Sequence, residues 1–245
     1  MKNNVTLMLL LSFLFSCAHK NQQRIEITSF SHIKWQKLNP ARGDKSPLAG
    51  PLWGDLKEEV PTAFLAQFLD GFSSPPHIHN VSYRAIVIDG ELHNDDPKAA
   101  KMWMPQSSYW TQPAGEPHIT AARGKRNIAL VEIDKGPYLV RPIKQSFDNG
   151  ERPYNIHASN IIWQKQGGFE KVDLWKDESE QVVGSLIRFK GSFAYLASKP
   201  NLVLIKGEAN VADQKLAAGS VIKVPSPREL NLSCQTSECI IYDKR

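Results

Sequence analysis

Three histidines carry the chemistry in this 245-residue chain. His77 and His79 flank Ile78, and His118 follows the corner Pro113-Ala114-Gly115. Side chains alternate faces along a strand, so a pair two residues apart turns both imidazoles the same way. A third imidazole from a neighbouring strand completes a ligand set for one divalent transition ion. Coordination positions remain open for water or substrate. Such a centre supports Lewis-acid, hydroxide or redox chemistry, according to the ion.

The elements that must position these rings are strands. The parity of His77 and His79 carries Val81, Tyr83, Ala85 and Val87 to the same inner face. Ser82–Ile88 is β-branched and aromatic, as a strand requires. Asp89-Gly90 predicts a hairpin turn, with Glu91-Leu92-His93 beginning the return. Pro113-Ala114-Gly115 is a second corner, and His118–Ala121 reads as the next strand. Helical signal is poor, with one short turn expected over Pro97–Met102. Many short strands between Gly and Pro corners predict a sandwich or barrel.

These residues resemble the cupin superfamily. Its first motif runs Gly, five residues, His-x-His, three or four residues, Glu, six residues, Gly. Its second runs Gly, five residues, Pro-x-Gly, two residues, His, three residues, Asn. Gly71, His77, His79 and Gly90 match the first; Pro113, Gly115 and His118 match the second. Tyr83 stands where the carboxylate ligand would be, Ser107 replaces the leading Gly, and Ala122 replaces Asn. More narrowly, the stretches around His77–Tyr83 and Trp110–Thr120 look like a bacterial cupin-like family of unknown function. The resemblance covers roughly residues 50–135. It implies a jelly-roll (double-stranded β-helix) barrel and a mononuclear metal, with Fe, Zn, Mn and Ni all open.

A weak internal repeat extends this to two barrels. Trp35-Gln36-Lys37 recurs as Trp163-Gln164-Lys165, and Leu52-Trp53-Gly54-Asp55 as Leu174-Trp175-Lys176-Asp177. Thr62–Phe68 before Gly71 matches Gly184–Phe189 before Gly191, and Ile86–Glu91 matches Leu204–Glu208. The Pro113 corner recurs at Pro225-Ser226-Pro227. The expected fold is all-β, with two tandem cupin barrels. A metal-binding domain spans 30–147, and a degenerate one spans 148–245, divided in the polar stretch Gln145–Pro153. The second copy carries Ala197-Ser198-Lys199-Pro200-Asn201 in place of the His-x-His strand. Glu229 falls near the place of His118. The second copy is read as structural, packing on the first or forming a homodimer contact.

Apolar content is ordinary, and the formal net charge of +5 is spread without a basic tract, so no nucleic-acid partner is expected. Residues 1–17 read as a targeting segment: Lys2, then an apolar run from Val5 to Phe15 too short to span a membrane. Leu14-Phe15-Ser16-Cys17 resembles a bacterial lipoprotein cleavage box, with Cys17 acylated. The alternative is an ordinary secretory signal cut near Ser16 or Ala18. With Ala18 next, the expected location is the outer membrane, facing the periplasm, with residues 18–29 as a polar linker and the lipid as sole membrane contact. In that oxidising compartment Cys234 and Cys239 are expected to form a disulfide, free thiols being the alternative.

Around the three candidate ligands, Tyr83 is read as a hydrogen-bond donor to substrate or bound water, or less readily a ligand. Glu116 is a candidate general base. His93 and Glu91 are candidates for a fourth ligand or pocket lining, or else a surface hairpin. Trp103, Tyr109 and Trp110 line the pocket or fill the core. His32 and His157 are read as incidental. Three neutral imidazoles leave a divalent ion with a charge of about +2, which favours a small anionic chelating molecule. The resemblance extends to oxygen-dependent cleavage of such chelates where the ion is iron. A non-catalytic sensor or carrier is the second reading, and a module with a vestigial site the third.

Overall fold

The computed structural model describes residues 24–177, 179–197 and 201–245. The expected signal segment with Cys17, the start of the linker and residues 198–200 lie outside the described residues. The chain forms two β-barrels, each built on a seven-stranded antiparallel sheet. The first sheet runs, edge to edge, Gln36–Lys37, Leu48–Trp53, Thr62–Phe68, Ile119–Ile133, Tyr83–Asp95, Tyr109–Gln112 and Tyr154–Ile156. The second runs Gln164–Gln166, Phe169–Lys176, Val182–Phe189, Cys239–Lys244, Asn201–Lys206, Val221–Lys223 and Glu26–Thr28. The orders correspond strand for strand. Each copy of the sequence repeat therefore lies at an equivalent place.

The last strand of each sheet comes from the other half. Glu26–Thr28, expected as the end of a polar linker, pairs with Val221–Lys223. Tyr154–Ile156, which follows the expected divide, pairs with Tyr109–Gln112. This reciprocal exchange hydrogen-bonds each half into the other's sheet. The outer faces of the two sheets then pack together through Leu65, Ile86, Ile88, Tyr109, Trp175 and Tyr242. The strand Tyr83–Asp95 is consequently apolar on both faces, Ile86 and Ile88 facing the sheet interface and Tyr83, Ala85 and Val87 the barrel interior.

The predicted hairpin at Asp89-Gly90 does not form. Tyr83–Asp95 is one continuous strand paired along its length with Ile119–Ile133, and the register slips between Val87 and Glu91. Gly90 has φ 74°, and a Cβ there would lie 2.4 Å from the Arg126 carbonyl. Gly90 thus marks a bulge at which the strand bends from one wall of the barrel into the other. The extra residue reverses the side-chain parity. Before it odd-numbered residues point inward; after it Leu92 and Asn94 do. Pro97–Met102 contains a turn and no helix.

The interior of the second barrel is filled by side chains such as Ile187, Phe189, Leu204, Leu230 and Ile241. Glu229 lies on its exposed outer side, opposite Leu196. Cys234 and Cys239 are joined by a disulfide across the loop after Arg228–Cys234. No helix among the described residues is long and apolar enough to cross a membrane.

One charged group is buried where the barrels meet. Glu132, 2% exposed, accepts the Tyr242 hydroxyl at 2.7 Å and pairs with Lys244 at 2.6 Å and Arg84 at 3.6 Å. Removing one member of such a network strands the others in a low-dielectric setting. We predict that Glu132→Ala lowers stability by about 3–5 kcal/mol. A single urea transition shifted by that amount is the expected result, and an unchanged midpoint would sink the assignment.

Candidate metal centre

The chain brings the third histidine to the other two by backbone pairing. His77 and His118 exchange two hydrogen bonds, His77 N–H to the His118 carbonyl at 3.1 Å and the reverse at 3.0 Å. His79 is tied to the second corner, its carbonyl accepting from Gly115 N–H at 2.9 Å. Gly115 has φ 79°, and a Cβ there would meet the Phe147 carbonyl at 2.3 Å, so the corner demands glycine. Behind the pair, His77–His79 is paired with Val140–Pro142.

The result is a compact triad. The candidate ligand atoms of His77, His79 and His118 all lie within 4.8 Å of one another. Among the described residues this is the one such cluster of His, Cys, Asp and Glu. The ring nitrogens are oriented for it. Nδ1 of His77 donates to the Pro75 carbonyl at 2.9 Å, and Nδ1 of His118 to the Glu116 carbonyl at 3.1 Å. Each bond leaves the Nε2 lone pair free, the arrangement in which outer partners fix a metal-binding imidazole. Nε2 of His118 is buried without a hydrogen-bond partner, and so is Nδ1 of His79. Buried polar nitrogens are rarely left so. An ion held by three neutral imidazoles accounts for the His118 nitrogen, and the residues fit a divalent transition metal.

Burial sets the electrostatics. Desolvation pushes the His118 imidazole down to about 3, assisted by the neighbouring His77 charge. Desolvation likewise holds His79 well below its ordinary value, with His118 and His77 adding to it. His77 is lowered by the same cause. Burial thus favours the neutral, ion-binding form of all three rings.

Two tyrosines border the triad. Tyr83 is 5.3 Å from the His79 ring, centre to centre. Its hydroxyl donates to Asn94 Oδ1 at 2.9 Å, an oxygen that also accepts from Thr120. The Asn94 amide passes the chain to Gln112 at 2.8 Å. Burial raises the Tyr83 phenol above its usual range, so it stays protonated. Sequence spacing missed Tyr138. Its ring stacks on His79 at 4.3 Å, and its hydroxyl reaches His79 Nε2 at 3.1 Å. It follows a proline in a loop, where strand parity gives no signal. Asn94 was missed because the bulge reverses parity beyond Gly90.

The other expected site residues lie elsewhere. The same parity reversal turns Glu91 and His93 outward, against the expectation that they approach the metal. Glu91 pairs with Arg123 at 2.6 Å, and His93 packs beside Trp103. Trp103 itself lies under Arg123, away from the pocket. Tyr109 belongs to the interface between the sheets, and Trp110 alone of the three aromatic candidates lines the cavity over the triad. Glu116 contributes its backbone carbonyl to His118, while its side chain borders a separate surface hollow with Phe147 and Arg152. It is not placed to act as a base at the metal. His32 and His157 lie on surface 3-10 turns.

The three-histidine cluster sits in a barrel of cupin-like, jelly-roll fold. A family profile described as a domain of unknown function (DUF4437) matches residues 26–242, and the chain belongs to that family. No curated relative matches the sequence. Among solved structures, a candidate dioxygenase of Nostoc punctiforme is similar over 91% of this chain and 82% of its own, with a TM-score of 0.69 and 14% identity. The oxalate decarboxylase of Lactobacillus farciminis, as its formate complex, gives a TM-score of 0.56 at 12% identity, covering 89% and 84%. That of Bacillus subtilis gives 0.53 at 14%, covering 88% and 74%. These likenesses establish the fold.

Two outcomes follow from this geometry. In metal-free protein the folded chain binds fewer protons than the unfolded chain below about pH 6.5. Stability is therefore full above that pH and lost as the pH falls toward the depressed folded values. For His118 alone the loss between pH 7 and 5 is on the order of 2 kcal/mol. Urea unfolding of chelator-treated protein at these pH values should show the fall, and a flat profile would contradict it. Separately, Tyr138→Phe frees His79 Nε2 of a bond worth about 1 kcal/mol. It should bind metal as tightly or up to about five-fold more tightly by competition with a chelating dye; a large loss would make the Tyr138 oxygen a ligand.

Proposed function

We propose that this protein is an envelope-anchored, metal-dependent cupin in which His77, His79 and His118 hold one divalent ion that receives a small chelating anion, with oxygenase-type turnover. One observation carries the reading. The cavity beside the triad is lined by no carboxylate, and its one permanently charged lining side chain is Arg42, near the imidazoles of His77 and His79. A bound ion would supply a Lewis acid and, if redox-active, a relay for electrons passing from the anion to dioxygen. The chain's own residues do the rest. The imidazoles remain neutral, so the ion's charge is not cancelled before a ligand arrives. The aromatic wall excludes water, and Tyr83 stays protonated as a fixed hydrogen-bonding phenol beside the rings.

The described dioxygenase and decarboxylases are similar in fold, and each name points to chemistry on a small molecule. That supports an enzyme over a carrier without deciding the reaction. Anchoring through Cys17 and a periplasmic location rest on the N-terminal sequence. The non-catalytic sensor or carrier is the second reading. It is favoured by the absence of any Asp or Glu lining the cavity that could move a proton.

Elemental analysis of mature protein, expressed from residue 18 onward without chelators or added metal, tests the centre. About one transition ion per chain is expected, falling at least about ten-fold in His118→Ala with little change in far-ultraviolet circular dichroism. Iron would direct attention to oxygen uptake with keto-acid and diketone substrates. Full stoichiometry in His118→Ala would show that the triad has been misassigned.

A further inference from the structure

The shape and lining of the cavity say more about its ligand than the triad does. Its volume is about 190 Å³. Phe64, Phe68 and Phe72, with Leu38 and Val131, form most of the wall. An apolar cavity of about 150 Å³ takes up benzene, so this one is large enough for a single ring with one small substituent. A fully polar dianion would leave the aromatic wall bare. His77, His79, Tyr83, Thr120 and Tyr138 bring polar atoms to its lining.

Arg42 also lines the cavity. It sits in the turn Pro40–Lys45, which Asn39 caps by accepting from Ala41 N–H. The guanidinium carbon lies 5.6 Å from the centre of the Phe72 ring. Its neighbours in the lining are already engaged. Ser74 accepts from Thr120 N–H at 2.9 Å, and Asn39 holds the turn. Among the described residues no carboxylate is paired with Arg42, although Asp44 nearby is taken by Lys37 at 3.0 Å. An unpaired, half-buried guanidinium against an aromatic face, on the lining of a largely apolar pocket, is suited to receive a planar anion.

We propose that Arg42 is the carboxylate anchor of this site, and that the ligand is a single-ring or similarly sized apolar carboxylate bearing a second oxygen. The ring lies against Phe64, Phe68 and Phe72, the carboxylate pairs with Arg42, and the second oxygen turns toward the three histidines. Only this last contact rests on the metal reading; the anchor and the aromatic wall do not.

The test is calorimetric titration of purified protein, metal content measured in each sample, with benzoate, 2-hydroxybenzoate, benzyl alcohol and oxalate. Benzoate should bind more tightly than oxalate. Arg42→Gln should weaken benzoate at least about ten-fold, the loss expected for a hydrogen bond to a charged group. Benzyl alcohol should change less than about two-fold, metal content should hold, and Arg42→Lys should recover part of the affinity. Tighter binding of oxalate, or benzoate affinity untouched by Arg42→Gln, overturns the proposal. His118→Ala separates the two readings. It should abolish the preference for 2-hydroxybenzoate over benzoate while leaving the Arg42 effect. If no sample carries metal but the Arg42 effect persists, the metal reading fails and the anchor stands.

Discussion

The centre depends on the pair of backbone hydrogen bonds exchanged by His77 and His118. They bring a histidine from the second motif against one from the first, across a stretch of chain that includes a thirteen-residue strand. With the register fixed there, the rings of His77 and His118 approach to 4.3 Å, and strand alternation delivers His79 to the same face. The corner at Gly115 holds His79 from the other side. Once three imidazoles converge inside an apolar barrel, their chemistry is largely determined. Charging any one is opposed by lost solvation and by its neighbours, so they persist as neutral lone-pair donors. A buried nitrogen without a partner is itself unfavourable. The fold therefore keeps a local instability that an ion at the three rings would relieve.

The bulge at Gly90 decides what surrounds that triad. By reversing parity it turns Asn94 inward, where one side-chain oxygen accepts from both Tyr83 and Thr120. Without the extra residue, His93 and Glu91 would face the barrel interior. The site would then acquire a carboxylate and a fourth imidazole. The second barrel shows the same break at Gly207, where φ is 84° and the equivalent strand simply ends. One backbone irregularity, required to bend a strand around a barrel, thus also sets the charge of the first barrel's centre.

Much of this was legible in the sequence, for identifiable reasons. The triad was, because a two-residue histidine spacing and a Pro-x-Gly corner are local signals with direct geometric meaning. The paired barrels were, because Trp-Gln-Lys and Leu-Trp recur in the same order and occupy equivalent strands. The continuous strand through Asp89-Gly90 was not. That dipeptide serves a hairpin and a bulge equally well, and only the length of the partner strand Ile119–Ile133 chooses between them. The exchanged strands Glu26–Thr28 and Tyr154–Ile156 were also hidden, since three residues carry no periodicity. Tyr138 and Arg42 reach the cavity from a loop and a turn, at sequence distances that no pattern connects to the histidines.

Charge placement explains why one barrel retains a site and the other does not. The protein has many carboxylates, yet those flanking the triad in sequence are engaged elsewhere: Asp70 by Gly124 N–H, Asp89 by Arg126, Glu91 by Arg123, and Glu116 lies at the surface hollow beside Arg152. Tyr83, where related motifs carry a carboxylate ligand, stays neutral because burial opposes its ionisation. Every such choice leaves negative charge out of the first cavity, whose aromatic lining also carries Arg42. In the second barrel the corresponding interior is closed by Phe189, Leu204 and Leu230, and the ionisable Tyr195 donates to Asp243 at 2.6 Å. Its apolar filling supports the sheet that packs against the first barrel, which a hollow interior would weaken. The stability of the pair thus rests on the filled barrel, and the first barrel can keep its interior open and its nitrogens unpartnered.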